Sequence, residues 1–252
     1  MPPPPHPPSS ATPAAITAQT TFTTAQRVYL WLTALSVAAL LIADITGVKL
    51  FSFNLWGITV KHSCGMLTFP ITFVLTDLVN EYYGRRAARR IVWIGFAMGA
   101  FVWFVVRTTL WMPRWEVPFN VAPDAFEAVF QSSQIMYFAS LLAYLTGSMC
   151  DIAIFGRLKR LTGGKMVWLR ATGSTVVSQM LDSLVVTFFG LSYGRMVFGG
   201  GDPMPIESVP QTAATGYILK FFIALALTPL IYAGRALMQR RFGLVPLPSD
   251  HV

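Results

Sequence analysis

The chain has 252 residues, of which 54% are apolar and 12% charged, and it carries a formal net charge of +8. A soluble domain has about 25% charged residues, so this balance excludes an ordinary soluble fold and points to one that lives in a bilayer. The positive charge does not read as a nucleic-acid surface, because apolar runs separate the basic residues; loops facing anionic lipid headgroups account for it.

Residues 1–26 are rich in Pro, Ala, Ser and Thr and carry no charge. Such a tract cannot bury a core and is expected to be a disordered or polyproline-like cytoplasmic tail. It lacks the basic start of a secretory signal, so cleavage is not expected. Residues 27–240 read as a transmembrane domain and 241–252 as a short cytoplasmic tail. Within the domain, apolar runs of about 20 residues, enough to cross a hydrocarbon core of about 30 Å as helices, fall at 28–46, 64–83, 89–111, 134–156, 168–190 and 213–237. No alternating polarity of the barrel kind runs through them, so the expected fold class is all-α, a six-helix transmembrane bundle. Cys64 and Cys150 lie in apolar surroundings without a CxxC pair or neighbouring histidines, which argues against a disulfide framework or a metal site.

Basic residues orient the bundle. Arg27 precedes the first span; Arg85, Arg86, Arg89 and Arg90 follow the second; Arg157, Lys159, Arg160, Lys165 and Arg170 lie around the connection after the fourth; Arg235, Arg240 and Arg241 close the last. The other side holds Lys49, Lys61 and Arg114. Positive charge marks the cytoplasm, which places both termini inside and makes the number of spans even.

Ionisable groups inside spans are costly and mark functional sites by default. In the second span Phe69, Phe73, Asp77 and Glu81 recur every four residues with Asn80 beside them, and so share a helix face. The fourth span gives Tyr137, Tyr144, Ser148 and Asp151, the fifth Thr175, Ser178, Gln179 and Asp182, and the sixth Lys220. A bundle enclosing a polar cavity is the economical explanation. Counting 1.5 Å per residue puts Asp182 roughly 21 Å into its span and Lys220 about 10 Å into the next from the opposite face, so the two are close enough to meet.

Structural readings compete with each. Glu81 stands four residues before Arg85, the favourable order for a helical ion pair at the membrane boundary. Asp77 serves either gating or an interhelical hydrogen bond. Asp182 and Lys220 serve either a ligand or helix register. Asp151 is either part of a pathway or a solvated boundary residue near Arg157 and Lys159. Trp168 with Arg170 reads as an interfacial anchor.

The blocks FPITFVLTDLVNEYYGRRAAR, SLLAYLTGSMCDIAIFGRLKRLTGGKMVWLRATGSTVVSQMLDSLVVTFFG and GYILKFFIALALTPLIY occur in this order. Together they resemble the queuosine precursor transporter family, bacterial inner-membrane proteins grouped with vitamin uptake transporters. The resemblance covers residues 27–240 and rests on the combination of a TDxxNExYG block, an AYxxxxxxD block with FxRLK, a WLR, an STxxSQxxD block and a late span with a lysine. Ser148 departs from it, standing where the family often has Gln, and the Pro-rich tail has no counterpart.

The resemblance implies a multi-pass inner-membrane importer of 7-cyano-7-deazaguanine or 7-aminomethyl-7-deazaguanine for salvage into tRNA, with no enzymatic activity and no cofactor. The expected substrate-binding residues are Asp182, Gln179, Lys220, Ser148 and Phe73, with Asp77, Asn80, Glu81 and Asp151 along the pathway. A carboxylate accepts paired N–H donors of the base edge, Gln and Lys donate to its carbonyl or nitrile, and an aromatic ring stacks on it. The expected partners are this 7-deazapurine base and the lipid bilayer, with no nucleic acid. The chain has no Walker A motif, so an alternative is a substrate-binding membrane subunit of an ATP-driven vitamin importer. An intramembrane aspartyl protease using Asp77 and Asp151 is disfavoured, since no YD or GxGD motif lies within the spans.

Overall fold

Helix α1, Thr24–Thr46, starts where Thr23 caps it: the Thr23 hydroxyl accepts from the Gln26 backbone N–H at 3.3 Å, and the Gln26 side chain accepts from the Thr23 N–H at 2.9 Å. This reciprocal box satisfies two of the orphan donors at the helix start and sets it three residues ahead of the expected domain boundary. The computed structural model describes residues 21–55, 58–130, 134–163, 165–198 and 202–248. Most of the tail expected at 1–26 lies outside the described residues.

Between α1 and the next helix stands a hairpin that the sequence reading did not contain. Strands β1 (Leu50–Leu55) and β2 (Ile58–Ser63) pair antiparallel, Leu50 opposite Ser63 and Leu55 opposite Ile58. Aromatic Phe51 and Phe53 and β-branched Ile58 and Val60 at alternate positions favour strands, and a backbone bond from Cys64 to Lys49 at 2.8 Å closes the base.

The remaining elements are α2 (Phe69–Trp111), α3 (Pro123–Phe130), α4 (Gln134–Leu161), α5 (Val167–Thr187), a π-helical turn over Phe188–Tyr193, α6 (Gly194–Phe198) and α7 (Val209–Phe242). Among the described residues, α1, α2, α4, α5 with its extension, and α7 are long and apolar enough to cross a membrane. Trp31, Trp93, Phe101, Phe104 and Phe222 stay exposed on their outer faces, as lipid-facing side chains do. The chain is an all-α polytopic membrane protein.

Helix α2 carries the two runs expected separately at 64–83 and 89–111. Unbroken, its 43 residues would extend about 65 Å, twice a hydrocarbon core. Gly84 interrupts it with φ 81° and ψ 172°, a conformation essentially open to glycine alone. The neighbours on α4 reverse there. Before Gly84, Asn80 donates to the Ile152 carbonyl at 3.5 Å and Glu81 reaches Lys159; after it, Gly95 lies against Tyr144, and the Gly99 carbonyl accepts from the Tyr137 hydroxyl at 3.4 Å. The chain therefore doubles back at Gly84 into two antiparallel arms.

The start of α1 and the end of α7 meet this bend. Tyr83 donates to the Ala25 carbonyl at 2.8 Å, Tyr29 to Ala87 at 3.1 Å, and Tyr82 to Arg235 at 3.2 Å. Arg89, Arg157 and Arg160 crowd Arg85 at the same end; burial first, and then these charges, hold its guanidinium below the ordinary arginine range. At the opposite end Ser140 donates to Asp44 at 2.8 Å. Helix α4 forms the centre, with Tyr144, Ile152 and Phe155 buried. Helix α7 lies outermost and contains Pro229, which removes one backbone N–H from its ladder.

Candidate functional site

Seven side chains of the Asp, Glu, Lys and Arg types are buried among the described residues: Asp77 and Glu81 on the first arm of α2, Asp151 and Lys159 on α4, Arg170 and Asp182 on α5, and Lys220 on α7. Charges at such depth persist only when paired or hydrogen-bonded. Lys220 is ion-paired with Asp182. Glu81 takes two cations, Arg170 at 2.5 Å and Lys159 at 3.1 Å, and the Arg170 guanidinium also lies 5.6 Å from the centre of the Phe155 ring. One oxygen of Asp151 accepts from Ser178 at 3.1 Å and Thr175 at 3.3 Å. Asp77 neighbours Asp151, and no donor among the described residues reaches either of its oxygens.

A cavity of about 450 Å³, open mouth included, runs between the first arm of α2, α5 and α7. Phe73, Asp77, Thr175, Gln179 and Lys220 supply its aromatic and polar wall, and Leu227 and Ile231 of α7 part of its apolar wall. This mixture of an aromatic face, an amide and charged groups is of the kind that holds a planar solute by a few polar contacts. Met66 and Phe69 border it at the end away from the Gly84 bend. Towards the bend lies the Glu81–Lys159–Arg170 cluster. There Lys159 also donates to the Glu81 carbonyl at 3.3 Å, and the Leu247 backbone N–H reaches the same oxygen at 3.0 Å.

Of the residues expected to bind substrate, Phe73, Gln179 and Lys220 line this cavity. Asp182 stands behind Lys220, packed so closely on α4 that a Cβ at Gly147 would sit 3.3 Å from its own Cβ. Ser148 is buried on α4 and does not border the cavity. Of the pathway residues, Asp77 lines the cavity, Asp151 stands behind it, Asn80 bonds α2 to α4, and Glu81 belongs to the ion cluster.

Three expectations are corrected. Glu81 pairs with Arg170 and Lys159 rather than with Arg85, because its side chain points into the bundle. Arg170 is no interfacial anchor: it is fully buried, while Trp168 beside it is 51% exposed. Asp151 is no solvated boundary residue, since the hydroxyls of α5 cover it completely. The sequence reading missed Arg170 and Lys159 as site residues by counting them with the loop charges. Among the described residues no group of three or more His, Cys, Asp or Glu side chains is placed to hold a metal ion.

A helical membrane protein with a buried, charge-lined cavity has the makings of a carrier for a small polar solute. Residues 63–234 match the family described as "Putative vitamin uptake transporter", and the chain belongs to that family. It is 26% identical over 189 residues to the "Probable queuosine precursor transporter" of Bacillus subtilis (strain 168), covering 73% of this chain and 76% of that protein. It is 27% identical to the protein of the same name from Haemophilus influenzae (strain ATCC 51907 / DSM 11121 / KW20 / Rd), over 65% of this chain and 63% of that one. It is also 26% identical to the "Queuosine precursor transporter" of Escherichia coli (strain K12), over 64% and 66%. The match thus spans slightly less than two thirds of the latter two relatives. No solved structure matches the chain.

Proposed function

We propose that this protein imports queuosine precursors, 7-cyano-7-deazaguanine or 7-aminomethyl-7-deazaguanine, across the bacterial inner membrane, as a transporter and not an enzyme. The observation that carries this reading is the cavity, where an aromatic face, an amide and an ammonium converge within one small space in a chain related to three transporters of such precursors. A deazaguanine offers a flat ring for Phe73, an N–H edge and a carbonyl for the Gln179 amide, and acceptors for Lys220. Asp182 acts through Lys220, fixing where its ammonium points, because one of its oxygens is taken up by that pair.

In this reading the two arms of α2 are separate crossings, which makes six, with both termini in the cytoplasm. The glycine at the bend, the arginine cluster there, and the start of α1 and end of α7 at the same end support it. Single cysteines placed at Arg86 and Trp115 would be labelled from opposite sides of the membrane, and labelling from one side sinks the topology.

The function is tested by expressing the chain in a bacterium that neither makes 7-cyano-7-deazaguanine nor imports it, supplying the precursor at low concentration and analysing tRNA. Queuosine in tRNA supports the reading. Its absence, with the protein shown to be in the membrane, rejects it.

A further inference from the structure

Charge does not balance in the buried site. Its ionisable groups are four acids, Asp77, Glu81, Asp151 and Asp182, and three bases, Lys159, Arg170 and Lys220. Lys220 is matched to Asp182, while Lys159 and Arg170 converge on Glu81. That leaves Asp77 and Asp151, which lie side by side, and none of the ion pairs among the described residues includes either of them. Asp151 accepts only hydroxyl donors, and both Asp77 oxygens lack a donor although the residue is 2% exposed and borders the cavity.

With all groups ionised the site would carry one excess negative charge. One proton makes it neutral, and a hydrogen bond between two carboxyls requires one, since an ionised carboxylate can only accept. The groups facing the pair are Glu81 on α2; Arg170, Ser174, Thr175 and Ser178 on α5; and, on α7, Lys220 across the cavity and half-buried Arg235 towards the bend. The cations among them are accounted for by Glu81 and Asp182, apart from Arg235, which sits at the rim.

We infer that Asp77 and Asp151 form a proton-binding site and that the protein moves its cargo together with a proton. The inference rests on the transport reading above. A charged site is expensive to carry through a low-dielectric barrier, and a neutral base such as 7-cyano-7-deazaguanine brings no compensating charge. The loaded site therefore reorients in its protonated, neutral form. The proton passes from water at the cavity mouth to a carboxylate oxygen of the pair, is shared between them, and returns to water on the cytoplasmic side. No other bond forms or breaks.

The test uses the purified full-length chain in liposomes that enclose a pH-sensitive dye, with 7-cyano-7-deazaguanine as the probe. Adding the base outside acidifies the lumen, and a lumen one pH unit more alkaline than the medium raises steady-state accumulation about tenfold if one proton accompanies each base. Asp77→Asn and Asp151→Asn lose the response to the gradient, whereas Asp44→Asn, on α1 and bonded to Ser140, keeps it. If wild-type counterflow of labelled base runs but neither the dye nor the gradient has any effect, transport stands and proton coupling is overturned. If both asparagine variants still follow the gradient, the pair is not the proton site. If wild-type counterflow itself is absent, the transport reading falls and this inference with it. The wild-type dye signal decides coupling even where a variant fails to reconstitute.

Discussion

Arg170 on α5 and Glu81 on α2 form a fully buried ion pair at 2.5 Å, and Lys159 of α4 joins it from the other side. Three helices are thereby tied at one depth. Glu81 is the shared partner, and removing it strands two cations in an apolar interior; breaking a buried pair typically costs about 3–5 kcal/mol. Glu81→Gln is therefore expected to lower the melting temperature in detergent sharply. Arg170→Met should cost less, because Glu81 keeps Lys159 at 3.1 Å. Melting of the Glu81 variant at the wild-type temperature would show that the cluster does not hold the bundle.

Lys220 and Asp182 divide their duties differently. Lys220→Met is expected to abolish uptake, since it removes the cavity's ammonium, and to destabilise the fold by leaving Asp182 unpaired. Exchanging the two residues should restore thermal stability but not uptake, because the ammonium then lies behind the cavity wall rather than in it. Uptake by the exchanged variant at the wild-type rate would refute the assignment of Lys220 to the cargo.

Phe73 presents its ring to the cavity from the first arm of α2. Stacking of a base on an aromatic side chain contributes about 1–3 kcal/mol, so Phe73→Ala should weaken binding by roughly 5- to 150-fold at 1.4 kcal/mol per tenfold change. Phe73→Trp should retain most of the affinity. Titration of ligand-induced thermal stabilisation measures both, and unchanged affinity in the alanine variant would remove the stacking role.

Gly84 and Gly216 are both within helical runs, yet substitution should act in opposite directions. At Gly84 the backbone conformation strains any L side chain, and Gly84→Ala is expected to cost about 1–3 kcal/mol. At Gly216 nothing lies within 4 Å of a Cβ, and alanine should gain about 0.5–1 kcal/mol through helix propensity. Thermal melts of the two variants compare them directly.

Much of the bundle was legible in the sequence because membrane spans and basic loops are read from composition, and the stripe Phe69, Phe73, Asp77, Glu81 needed only the helical repeat. The repeat also held Arg170, which stands with Ser174, Ser178 and Asp182 at intervals of four along one face of α5 and is buried with them. Counting it among the cytoplasmic charges hid that. Lys159 was hidden the same way, one helical turn beyond Phe155. Depth counting brought Lys220 to Asp182 but could not say which of them faces the cavity, since that depends on how α5 is rotated against Gly147. The hairpin of β1 and β2 escaped because it is shorter than any span and its alternation lies between two louder apolar runs.

Pro229 falls between two stretches of α7 with different attachments. The later stretch is seated on the bend: Gly234 lies against Leu78, and the Arg235 carbonyl accepts from Tyr82. The earlier stretch carries Lys220 and is bonded to α5, through Asp182 and, next to the proline, through Thr172 and Thr228 at 3.2 Å. The proline takes one rung out of the ladder between them. One helix thus supplies both a wall of the cavity and part of the clamp at the arginine-rich end, and each is held by a different neighbour.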